Sequence, residues 1–572
     1  MERGQVHYEV FVRVSALAPW RLELATENRA QATEIAEDML ADKRAVSVRV
    51  TKEQLDPETN EFTSLTLFTK GLPEPSRKMR ERVANNDPPC LAPQDLYASF
   101  AREKIGRVLE DWLRRNRATP FELLHRADLC EKLEASGTEM QHAIQKIAVP
   151  ESHASGQPIH DIMRAYQRLT EKAMERVIVT QRRNRFPDLS KESIADVSRR
   201  LVGEDDRCFL LGGAICAVLA RATTAREKVG FLLDFVEEAP DEPQPQALCR
   251  VVIEQPLSEI LCSPAGLAEV VGPDLDLGAN LAALTRLAAP AEVEALIRME
   301  PGLARQIPAL EGPAARLGKQ MQGGAFKMLG AYIARRVLKE LTGPRRLRPS
   351  DARGEIDIMR ALAMALTASA GRLLSLDEVQ DAFVQRSKSI VTADFVDTYL
   401  KGCDDARAEA EALVRLCENV AGGANKREAA RWLLASIASL RFEKECKSAP
   451  ESPAATLAQL AAIQRSVRKA GLGEKDTEQI MRKLGEVGAL VEADARVCDQ
   501  IMRAPVPPLQ KLTLLLRLAS GEAAPAGAAA DKAKGEAMRI LRAPGFRDAL
   551  AAAPPETAGK IRPLLQAIGM AA

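Results

Sequence analysis

Five residues in one turn come nearest to a binding site. Gly422 and Gly423 bring bare backbone to the start of a helix, Asn425 follows, and Lys426 and Arg427 put two cations into its first turn. Outward-pointing amides beside positive charge suit a phosphate or a carboxylate. The same cations conflict with the local rule, because an exposed cation at the positive end of a helix dipole costs about 0.3–1 kcal/mol. The turn is therefore an anion-binding candidate. The alternative is purely structural: both glycines end the preceding helix, and Asn425 with Glu428 caps the next one. Two basic runs are further candidates. One is Arg182-Arg183-Asn184-Arg185; the other comprises Arg335, Arg336 and Lys339, then Arg345, Arg346 and Arg348. Near a helix C-terminus such cations complement the dipole, and phosphate binding is the alternative, though no aromatic residues interleave to stack bases. Two familiar spacings fail. Gly312 to Lys319 is one residue too long for a phosphate loop, and Gln320 stands where a magnesium-binding hydroxyl is needed. Ser466-Val467-Arg468-Lys469 has the S-x-x-K spacing of some acylating enzymes, on an ordinary amphipathic helix and without the companion motifs.

His160-Asp161, with His125 upstream, has the residue types of a metal site. In these residues the chain resembles the all-helical metal-dependent phosphohydrolases of the HD type, which use an upstream histidine, a His-Asp pair and a later aspartate as ligands. The resemblance would imply a metal-dependent hydrolase. Helical geometry points elsewhere. With Ile159, Met163, Tyr166 and Val177 on the buried face, Asp161 points away from it, whereas a two-metal site needs converging ligands. An acid in the first turn is also favoured by the dipole alone. His142 and His153 add no ligand spacing. No catalytic residue, metal ligand or cofactor is expected.

The elements that carry these residues are helices. Ser375 and Glu378 form a capping box that starts one. Ala406, Ala410, Leu413, Cys417 and Val420 make one apolar stripe, and Ala430, Leu433, Ile437 and Leu440 make the next. The short connection between them predicts an antiparallel pair. Trp432 and Phe442 fall off the second stripe, so that helix needs a second neighbour. Either another helix of the chain covers them, or they are a contact surface for a protein partner.

Composition bounds the rest. The chain has 572 residues, 46% hydrophobic but only 4% aromatic, so alanine and leucine must fill its interior and a helical body is expected. A net charge of +1 gives no global field toward nucleic acid or anionic lipid. Ten cysteines without a C-x-x-C pair read as reduced core residues of a cytoplasmic protein, and the start of the chain shows no signal peptide. The longest apolar run, 209–220, is too short to span a bilayer.

At the N-terminus, alternation over Val6 to Val14, a second strand at Trp20 to Leu24, a helix capped by Asn28, and strands at 46–50 and 62–68 predict a small ββαββ module. The expected organisation is the module at 1–70, a linker at 71–93, a helical body at 94–446, a second linker at 447–455 and a helical region at 456–572. An Ala/Gly-rich tether is expected near 520–535. Capping boxes at Thr119/Glu122, Thr138/Gln141 and Thr224/Glu227 start helices, and a single helix is expected over 321–341. The fold class is mainly α, a multi-helix bundle or irregular α-solenoid-like body with an N-terminal α+β module. Faint echoes such as 228–233 and 511–516 suggest stacked pairs at irregular spacing. The expected function is that of a non-catalytic scaffold or regulator acting on an unidentified protein partner; the alternatives are a nucleic-acid or nucleotide-binding regulator using the arginine clusters, and the HD-type hydrolase.

Overall fold

The computed structural model describes residues 6–14, 20–42, 44–55, 62–71, 90–273, 275–544, 546 and 555–569. The chain divides into two compact units, one formed by 1–112 with 131–176 and the other by 113–130 with 177–572. Most of the linker expected at 71–93 lies outside the described residues.

The first unit holds the ββαββ module. Strands β1 (Val6–Arg13), β2 (Arg21–Thr26), β3 (Ser47–Leu55) and β4 (Phe62–Gly71) form one antiparallel sheet in the order β2-β1-β3-β4. Helix α1 (Arg29–Ala41) starts at Asn28, whose side chain accepts from the Ala30 amide at 2.9 Å. Period-two alternation sends Val10, Val12, Val48 and Val50 to one side, where Ala32, Ala36 and Met39 of α1 close the core.

The second unit is a serial stack of helical pairs. Its members are α2 (Ala225–Glu237) with α3 (Pro243–Cys262), α4 (Leu277–Ala288) with α5 (Lys327–Thr342), and α6 (Ala352–Ala368) with α7 (Leu376–Ile390). After the short α8 (Ala393–Leu400) come α9 (Ala406–Asn419) and α10 (Gly423–Ile437). After the short α11 (Leu440–Lys447) come α12 (Pro453–Lys469) and α13 (Glu474–Ala495). After the short α14 (Val497–Arg503) come α15 (Pro508–Ala519) and α16 (Ala528–Leu541). One row of contacts runs α4, α6, α9, α12; the other runs α3, α5, α7, α10, α13, α16. This is the connectivity of an α-solenoid rather than of a single bundle, with helix starts too unevenly spaced to show as a sequence period.

Charged side chains of one helix close the ends of others. Helix ends leave amides and carbonyls without intrahelical partners, and the dipole favours cations at C-termini and anions at N-termini. Arg336 Nη1 of α5 donates to the carbonyls of Leu261 and Cys262 at the end of α3, at 2.8 and 3.2 Å. Arg465 of α12 serves the carbonyls of Gly521 and Glu522 beyond α15. Lys511 of α15 serves Met502 in the last turn of α14. In the opposite sense, Glu445 of α11 accepts from the Ala406 amide that opens α9, at 2.7 Å, and Glu254 of α3 accepts from Leu329 in the first turn of α5, at 2.9 Å. Apolar helix faces set the stack together; these pairs join particular ends.

Several expectations need correction. The helix foreseen over 321–341 is two, Pro313–Gln322 and α5, because Gly323 and Gly324 end the first and Phe326 takes a left-handed φ of 61°. Thr138 is the first helical residue rather than a cap, since the turn before it is made by Gly137 with φ 62°. The boundary foreseen at 447–455 is a short connection between packed helices: α11 packs on α13, and α9 on α12. Only the first half of the tether foreseen at 520–535 is a connection; the second half, from Ala528, belongs to α16. Its approach is pinned by Gln464, which accepts from the Ala526 amide at 2.8 Å and donates to the carbonyls of Met481 and Ala526.

All ten cysteines are free thiols; Cys130, Cys216, Cys249, Cys417, Cys446 and Cys498 are buried, and Cys208 is exposed. Burial pushes the thiols of Cys417, Cys446 and Cys498 up to about 12. Native-state labelling with a chromogenic disulfide at neutral pH should therefore modify Cys208 first. The six buried thiols should react only on unfolding, and fast modification of any of them would show that the packing around it is wrong.

Candidate functional site

The basic run at the end of α5 separates into two kinds of cation. Leu329, Ile333, Val337 and Leu341 are fully buried and fix which way the helix faces. At about 100° per residue, Lys327, Met328, Ala331, Arg335 and Lys339 then share the opposite side, and all five are exposed. Among the described residues, neither Lys327, Arg335 nor Lys339 has a carboxylate or carbonyl partner. The helix has one carboxylate, Glu340, which lies toward the buried side and is half-buried.

Of the sequence-predicted patch, Arg335, Lys339 and Arg345 are exposed, and Arg336, Arg346 and Arg348 are engaged. Arg336 caps α3 as described; the Arg346 guanidinium lies over the Phe395 ring at 5.2 Å; Arg348 Nε donates to Asp276 Oδ2 at 2.8 Å. The loop that carries them is clamped from within. Glu355 Oε1 accepts from the Leu347 amide at 3.0 Å, and Oε2 from the Arg348 amide at 2.5 Å. Arg386 donates to Glu355 at 2.8 Å and to the carbonyls of Gly343 and Arg345 at 3.0 and 2.6 Å. Both charged side chains are only 1% exposed. Lys327 was missed from sequence because the helix start at 327 was not seen. The earlier run, Arg182 to Arg185, is exposed; Asn184 turns left-handed with φ 52°, and the cations sit where the dipole favours them.

The anion-binding turn is built differently from its sequence reading. Gly422, with φ 87°, caps α10, and Gly423 is the first helical residue. Asn425 is thus inside the helix, buried, donating to the carbonyls of Val384 and Ala421 at 2.9 and 2.7 Å, and it forms no capping box with Glu428. Lys426 Nζ donates to the carbonyl of Cys417 at 2.6 Å and to that of Ala470, at the ends of α9 and α12. Burial pulls its pKa below the usual lysine value. The conflict with the dipole of α10 is resolved there: the cation serves the negative ends of two neighbours. Arg427 is half-buried. Asn425 and Lys426 are committed to carbonyls, so the five residues do not assemble an open anion site.

The aromatic pair is also covered from within. Phe442 is fully buried, because α10 stops at Ile437 and Ser439 caps α11, its hydroxyl accepting from the Phe442 amide at 3.1 Å. The same break leaves Leu440, expected on the buried stripe, 85% exposed. Trp432 is half-buried, and its indole donates to the Val391 carbonyl at the end of α7, at 2.9 Å. Phe442 thus offers no surface to a partner, and Trp432 bridges two pairs of the stack.

His160 and Asp161 are exposed in the first unit. His125 is in the core of the second, its Nδ1 donating to the Phe121 carbonyl at 2.7 Å between the rings of Phe121 and Phe209. Gly212 is required there: a Cβ would fall 2.5 Å from His125 Nε2. Among the described residues no group of three or more His, Cys, Asp or Glu is arranged to hold a metal ion, and no helix is long and apolar enough to cross a membrane. No protein-family model, curated protein or solved structure matches the chain.

Proposed function

We propose that the chain is a non-catalytic cytoplasmic scaffold or regulator that works by contact with a protein partner. The serial stack of helical pairs carries this reading, because such stacks present long surfaces on which a partner can lie. Caps between helices, such as Lys426 on α9 and α12, hold that surface in shape before binding, so association orders few side chains. Affinity capture of the tagged chain with chemical cross-linking should recover a stoichiometric protein joined to lysines of the stack. A chain that elutes alone under native conditions would overturn the reading. The exposed cations Lys327, Arg335, Lys339 and Arg345 favour one second reading, a nucleic-acid-binding regulator. Retention on duplex DNA that falls steeply with salt is its mark.

A further inference from the structure

We propose that the exposed side of α5 docks an acidic protein segment carrying an apolar residue; this rests on the scaffold reading and gives the partner its chemistry. Lys426 shows how the stack treats a cation in the first turn of a helix: it is turned onto carbonyls of other helices. Lys327 occupies the first turn of α5 and has no such partner among the described residues. Its charge adds to the positive helix end instead of being absorbed. Arg335 and Lys339 continue that charge along the same side, one turn apart, about 6 Å, which is the rise between carboxylates four residues apart on a partner helix.

The face is not only basic. Met328 is 49% exposed within it, and Ala331 is exposed beside it. The contacts of Glu254 with Leu329 and of Arg336 with Leu261 and Cys262 make α3 and α5 run parallel. Val251 of α3, 48% exposed, and the exposed Arg250 therefore come level with the start of α5. A sugar-phosphate backbone would meet the cations and leave these apolar atoms in water. A peptide with acidic and apolar side chains covers both.

The probe is a fluorescein-labelled 16-residue peptide of glutamate with leucine at every fourth position, titrated by anisotropy into the full chain at low salt. A peptide with glutamine in place of glutamate, a 16-base-pair duplex and phosphatidylserine vesicles are the comparisons. Lys327→Gln/Arg335→Gln/Lys339→Gln should weaken the acidic peptide at least tenfold. Met328→Ser alone should weaken it several-fold and leave the salt slope unchanged, and both variants should melt as wild type does, since all four residues are exposed. Equal binding by wild type and the triple variant overturns the proposal. So does tighter binding of the duplex or the vesicles than of the peptide, lost in the same variant. A captured partner that cross-links equally to wild type and triple variant overturns this face and leaves the scaffold reading standing; a wild-type chain that captures nothing overturns the scaffold reading itself.

Discussion

Arg386→Met should destabilise the α5–α7 region by about 3–5 kcal/mol, because it leaves the Glu355 carboxylate charged and without a cation in a site that is 1% exposed. The same exchange takes donors away from the carbonyls of Gly343 and Arg345. Glu355 would keep only the amides of Leu347 and Arg348. Glu355→Gln/Arg386→Met should recover part of the loss, since it removes the buried charge while a carbonyl oxygen remains for one amide. Hydrogen exchange over 343–348, followed together with the urea midpoint, is the measurement. A single variant whose loop exchanges no faster than wild type would show that the pair does not hold the loop.

Gly485→Ala should cost about 1–3 kcal/mol and loosen the α15–α16 pair from α13. A Cβ at this position would lie 2.4 Å from the Ala526 carbonyl oxygen, and backbone cannot swing aside as a side chain can. Gly488 is in a similar position, with Pro525 Cγ at 2.3 Å. Gly535, on α16, has nothing within 4 Å of its would-be Cβ, so Gly535→Ala should stabilise by about 0.5–1 kcal/mol through helix propensity. Protease sensitivity across 520–527 distinguishes the two. If Gly485→Ala resists cleavage as well as Gly535→Ala does, the close approach of α13 to Ala526 is not what seats the last pair.

What the sequence made legible was local chemistry. Capping boxes at Thr119, Thr224 and Ser375 are present as their spacing implies, and the stripe from Ala406 to Val420 is buried throughout. These follow from neighbours three or four residues apart. The failures lie where a distant residue decides. Asn425 reads as a cap until its amide meets Val384, forty-one residues away. Residues 520–535 read as a tether because small residues are common in flexible segments and at close helix approaches alike; Gly485 on α13 makes the difference. The basic patch was half legible for the same reason. Arg336 and Arg348 differ from Arg335 only in having Leu261 and Asp276 beside them.

The caps between helices have a consequence for alignment. Faces built of alanine and leucine are forgiving, and one such helix can slide a turn past another with little change in the area it buries. Hydrogen bonds to single carbonyls cannot slide. Asn425 meets Val384 and Trp432 meets Val391, each across an interval of 41 residues, so α10 is indexed to α7 at two notches along one rail. A shift of one turn, about 5.4 Å, would break both at once. The polar ends therefore act as detents, selecting one setting among the many that the greasy faces would accept.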